Sequence, residues 1–235
     1  MNGYAKKAGI LVAGALAVVG AISILQSFNT PSDKVSGRSM CSSIFGMAST
    51  RIDWDWVKSK IDEGVDVNHK CYFDGVTVLY YAAYFGETEV VRFWLEEEDA
   101  DPLVKTDRGN TVLHAAAWSG NAETFRLLLE EDTDPFAKNA YGNTVLHLAA
   151  KSRRGRGNAE IVRILLEEGA DPLAKNKKGD TVLHSAVIGR NEEVVRILLE
   201  KGADPLAKNN SGGTPLSESK YKKRIQHILR EAAGQ

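Results

Sequence analysis

The chain has 235 residues, 43% hydrophobic and 26% charged, a balance that fits a folded portion and excludes a disordered chain. Thirty Lys+Arg against 31 Asp+Glu leave a formal charge of −1, which removes the broad positive field of a non-specific nucleic-acid binder, so no nucleic-acid partner is expected. Two cysteines, Cys41 and Cys71, match neither a zinc module nor a dense disulfide framework; they allow at most one internal bridge and leave the redox compartment open.

Gly9 to Leu25 reads GILVAGALAVVGAISIL, 17 residues in which Ser23 is the only polar side chain. That length is the lower limit of a membrane-spanning helix. Ala21-Ile22-Ser23 would suit signal cleavage, but Ile24 and Leu25 prolong the apolar run past it. Residues 1–25 therefore read as a single-pass transmembrane anchor, with a cleaved signal peptide or a buried helix as alternatives. Lys6 and Lys7 precede the run and Lys34 and Arg38 follow it, a small bias toward placing the rest of the chain on the exported side. Residues 26–50, rich in Ser, Asn, Gly and Pro and without a period, read as a flexible linker.

Beyond the linker the chain repeats itself. Thr-Val-Leu recurs at Thr77, Thr111, Thr144 and Thr181 and Thr-Pro-Leu at Thr214, with spacings of 34, 33, 37 and 33. Gly75, Gly109, Gly142, Gly179 and Gly212 precede these threonines at a fixed offset, as a tight turn with positive φ would select. Each turn leads into a short Ala-rich stretch, a polar break, and a second apolar stretch. In the second stretch Val194, Ile197 and Leu198, and likewise Ile161, Ile164 and Leu165, fall at i, i+3, i+4 on one helix face. The unit is turn, helix, turn, helix, closed by Gly169 or Gly202 and an Ala-Asp-Pro-Leu exit.

A unit of this length carrying Thr111-Val-Leu-His114, Thr144-Val-Leu-His147, Thr181-Val-Leu-His184 and a Gly-Ala-Asp after the second helix resembles the ankyrin repeat. The resemblance implies an all-α solenoid of stacked helix-turn-helix units with β-turn loops, preceded by the N-terminal hydrophobic helix. Residues 51–71 read as an N-terminal cap, 72–105, 106–138, 139–175 and 176–208 as four full repeats, and 209–235 as a C-terminal cap whose outer face is polar. Departures from the family pattern are Val in place of Pro after Thr, Tyr80 where His is expected, and Arg190 where Gly is usual, with Gly189 expected to supply that turn.

Equivalent histidines in stacked repeats lie about 8 to 10 Å apart, too far for one metal ion, so His114, His147 and His184 read as structural ties and no metal is expected. No nucleophile motif, phosphate-binding loop or zinc pattern occurs, so neither enzyme activity nor a cofactor is expected. The acidic runs at the ends of second helices read as a solvated ridge, and Asn209-Asn210-Ser211 as a chance glycosylation pattern. The insertion 152–157, with Arg153, Arg154 and Arg156, is either a solvated loop or a basic knob for an acidic partner.

The family resemblance implies a concave binding surface for a protein partner. It comprises Phe73, Asp74, Val76, Tyr84, Phe85, Asp107, Arg108, Asn110, Trp118, Tyr141, Asn143, Lys151, Lys177, Lys178 and Asp180, with Tyr84, Phe85, Trp118 and Tyr141 as an apolar centre. Trp118→Ala is expected to weaken binding while leaving thermal unfolding nearly unchanged. The functional expectation is a membrane-tethered adaptor or scaffold. Alternatives are an exported protein that stabilises or inhibits an envelope enzyme, and a secreted effector that binds host proteins.

Overall fold

A computed structural model describes residues 52–71, 74–152 and 158–235, all within one compact unit. The apolar run 9–25, the linker 26–50, Cys41, Phe73 and the arginines of the insertion lie outside the described residues. Among the described residues no helix is long and apolar enough to cross a membrane. They contain helices and turns without strands, apart from the isolated bridges Lys138 to Thr144 and Lys175 to Thr181.

The helices are α1 (Trp54–Asp62), α2 (Val78–Phe85), α3 (Thr88–Glu96), α4 (Val112–Ser119), α5 (Ala122–Leu129), α6 (Val145–Lys151), α7 (Asn158–Glu167), α8 (Val182–Gly189), α9 (Glu192–Glu200), α10 (Pro215–Glu218) and α11 (Lys223–Ala232). First helices α2, α4, α6 and α8 stack in one layer and second helices α3, α5, α7, α9 and α11 in another. Ala82, Ala83, Ala115, Ala116, Ala117, Ala149, Ala150 and Ala186 are fully buried, small enough for first helices to pack side by side. The second layer presents Trp94, Phe125, Leu128, Ile161, Leu165, Val194 and Leu198 to the same core; of the predicted face only Ile164 remains half-buried.

The repeated threonine explains where each first helix starts. Its hydroxyl oxygen accepts the backbone N–H three residues on, from Tyr80, His114, His147, His184 and Ser217. In the histidine repeats the ring reciprocates, because the threonine N–H donates to Nδ1 at 3.1–3.3 Å. The opposite nitrogen donates 3.2 Å to a carbonyl of the next repeat, on Asn143, Asp180 or Gly213. One side chain thus caps its own helix and fastens it to its neighbour.

Turn glycines adopt the expected left-handed backbone; at Gly179 (φ 75°) a Cβ would also stand 2.4 Å from the Asn210 side-chain oxygen. The α8 terminus corrects the expectation for its turn. Arg190 itself is left-handed (φ 60°), whereas Gly189 is helical and buried, with a hypothetical Cβ only 2.5 Å from the Ala150 carbonyl oxygen. Glycine is needed there for close approach of α8 to α6, and the arginine takes the strained turn.

Candidate functional site

Successive turn tips are joined by backbone hydrogen bonds. Asp107, Ala140, Lys177 and Asn210 N–H groups donate to the carbonyls of Asp74, Arg108, Tyr141 and Lys178 at 2.8–3.0 Å. Beneath them runs an amide ladder in which Asn139, Asn176 and Asn209 donate to the side-chain oxygens of Asn110, Asn143 and Asp180 at 2.7–2.8 Å. These two rows hold the tips as one surface and set which predicted residues remain accessible.

Val76 is removed from that surface, because it is only 6% exposed and belongs to the core. Asn110, Asn143 and Asp180 are half-buried, their side chains taken up by the ladder. Asp107, Arg108, Tyr141, Lys151, Lys177 and Lys178 are exposed. Asp74 is left-handed (φ 68°); its carboxylate accepts the Arg108 N–H and lies 3.5 Å from the Arg108 guanidinium. Phe85 is half-buried, stacked with Tyr81 at 6.4 Å and edge-on to Tyr84 at 5.2 Å.

Of the expected aromatic centre, Tyr84 and Trp118 line one cavity of about 220 Å³ together with Tyr80, Asn110, His114 and Leu148. Tyr141 stands at its tip outside that lining, 52% exposed, and Phe85 is likewise not part of it. Tyr80 and Leu148 were absent from the sequence-derived set. Tyr80 had a signal in the sequence, since it occupies the histidine slot of the repeat, but it reads there only as a departure from the pattern.

The cavity carries no net charge at neutral pH. Burial lowers the His114 pKa to about 4, outweighing the hydrogen bond to the Asn143 carbonyl, and burial followed by the Asp74 carboxylate pushes the Tyr80 hydroxyl up. A neutral pocket with aromatic walls suits an apolar or aromatic side chain better than an ion. Trp118 is half-buried, with its indole N–H shielded from solvent and unpaired.

Two other clusters are tied into the fold by hydrogen bonds. Asp180, His184 and Glu218 place possible ligand atoms within 4.8 Å of one another, but both His184 nitrogens are hydrogen-bonded and the Asn209 amide donates to both carboxylates, at 2.7 and 3.2 Å. The same bonds occupy the Asn209 nitrogen that glycosylation would modify. At the base of the insertion the Ser152 hydroxyl donates to the Trp118 carbonyl and the Asn158 amide to the Ser152 carbonyl, closing the loop stem.

A family model described as "Ankyrin repeats (3 copies)" matches residues 47–139 and 132–209. No curated protein matches the chain.

Proposed function

The chain belongs to the ankyrin-repeat family, a fold of protein-interaction modules, and from that premise we propose that it is a tethered adaptor whose concave face binds a protein partner. The observation that carries this reading is the neutral cavity walled by Tyr80, Tyr84 and Trp118, set beside the exposed tips Arg108, Tyr141, Lys177 and Lys178. An apolar or aromatic side chain of the partner fills the cavity, and its acidic groups face the lysines of the fourth repeat. This division, a desolvated aromatic anchor with a charged rim, is where interfaces concentrate binding energy.

Photo-crosslinking tests it in the full chain. With p-benzoylphenylalanine in place of Tyr84, a defined protein adduct is expected, and none with the same group at Arg196 on the outer layer. Trp118→Ala is expected to abolish the Tyr84 adduct. Equal adducts from both positions, or an adduct indifferent to Trp118→Ala, would defeat the proposal.

We further propose that the run Gly9 to Leu25 anchors the protein and that the array lies on the exported side. Lys6 and Lys7 ahead of the run support the orientation. So does Cys71, which is buried and disulfide-bonded, with Cys41 the only other cysteine of the sequence, since structural disulfides persist in oxidising compartments. Carbonate extraction followed by protease protection is expected to leave the protein in the membrane pellet and its repeats protected until detergent is added. Release as a shortened soluble species would instead mark the run as a cleaved signal.

A further inference from the structure

Each full repeat leaves its second helix through the same turn, Asp-Pro-apolar-x-Lys. The aspartate oxygen accepts the N–H two residues on, from Leu103, Phe136, Leu173 and Leu206, at 2.7–2.8 Å, while proline at the intervening position fixes φ. In three of the turns a further bond closes the ring, from Ala137, Ala174 and Ala207 N–H to the aspartate carbonyl at 3.3 Å. The result is a rigid tip bearing a large apolar side chain in water: Leu103 is 58% exposed, Phe136 47%, Leu173 52% and Leu206 42%.

Singly, an exposed leucine needs no explanation. Here the repeats stack in register, so the tips form a line at a spacing of about 8 to 10 Å. The chain order within each turn makes two flanking lines: carboxylates Asp101, Asp134, Asp171 and Asp204 on one side, and exposed Lys105, Lys138, Lys175 and Lys208 on the other. Beside Phe136 a cleft of about 230 Å³, walled largely by Pro135, Phe136, Leu146, Ala170 and Ala174, opens between adjacent turns. No part of the concave site is involved.

We propose that this edge is a self-association surface on which a second copy of the chain packs, its line of tips parallel to the first. A twofold axis in the interface plane can run along the lines or across them. Along the lines, it sets apolar tips against apolar tips and each lysine line opposite the other copy's carboxylates. Across them, it sets carboxylates against carboxylates and lysines against lysines. The acid, apolar, basic order therefore selects the parallel arrangement and makes the edge complementary to itself. The same carboxylates oppose adsorption to an anionic membrane surface.

Sedimentation of the full chain in neutral detergent tests the proposal. The protein is expected to form a two-chain species that grows with the protein-to-detergent ratio. Phe136→Ser with Leu173→Ser is expected to weaken it by about tenfold or more, with helical content and thermal unfolding retained because both side chains lie outside the core. Lys138→Glu with Lys175→Glu is expected to weaken association by repelling the facing carboxylates, and Asp134→Asn with Asp171→Asn, which removes that charge but keeps the oxygen closing each turn, is expected to weaken it less. A single-chain species at every ratio overturns the proposal. So does association that is indifferent to Phe136→Ser with Leu173→Ser, or to Lys138→Glu with Lys175→Glu.

Discussion

The first full repeat and the three that follow share one turn and one helix start but differ at the framework position three residues after the capping threonine. In the second to fourth repeats His114, His147 and His184 each return a bond to the capping threonine and send another to the next repeat. In the first, Tyr80 receives the cap through its N–H and returns no bond to it; its ring instead forms a wall of the concave cavity. Where the side chain serves the stack the repeat is regular, and where it serves the surface the pattern breaks.

The largest effect is expected where the regular position is removed. His147→Ala deletes the reciprocal cap and strands the Asp180 carbonyl, and should cost about 3 kcal/mol in a urea titration. A cost no larger than that of Tyr80→Ala would erase the distinction between the two kinds of repeat.

Acid separates them next. The folded His114 pKa of about 4 lies below the unfolded value near 6.5, so the stability it contributes is fully present above pH 6.5 and declines as pH falls toward 4. Between pH 7 and pH 5 this amounts to about 2 kcal/mol for that one group. The urea midpoint should fall over this window, and His114→Asn should flatten the decline.

Converting the irregular repeat sharpens the comparison further. Tyr80→His should complete the capping box of α2 and raise stability by about 1 kcal/mol, while removing an aromatic wall and reducing the Tyr84 adduct. Higher stability together with full partner binding would detach the cavity from function. The smallest effect belongs to the other departure, Arg190: relieving its left-handed backbone with Arg190→Gly should gain about 0.5 kcal/mol in thermal unfolding. Gly189→Ala should lose stability, because the added Cβ meets the Ala150 carbonyl.

The repeats and their helix faces were legible in the chain because each follows from local rules: glycine in a left-handed turn, threonine at a cap, apolar residues at helical spacing. The two kinds of correction share a cause. Val76 lies one residue from the capping threonine and next to the turn tip, and only the packing of adjacent units decides that it points inward. Gly189 and Arg190 are neighbours whose roles exchange because α6 approaches one of them, a contact made across a separation of almost 40 positions. The amide ladder likewise belongs to stacking: Asn110 and Asn143, expected on the binding surface, are taken up by Asn139 and Asn176 of the following repeats.

By itself the sequence determined the unit and the helix starts, since a 33-residue periodicity repeats every local instruction and each instruction acts within a few residues. Tertiary structure alone decided which side chains line the concave cavity. A cavity arises from side chains of three successive repeats, Tyr84, Trp118 and Leu148 among them, and its volume and neutrality depend on how closely the repeats stack and how far water is excluded. Those are properties of distances between units, which no single repeat encodes.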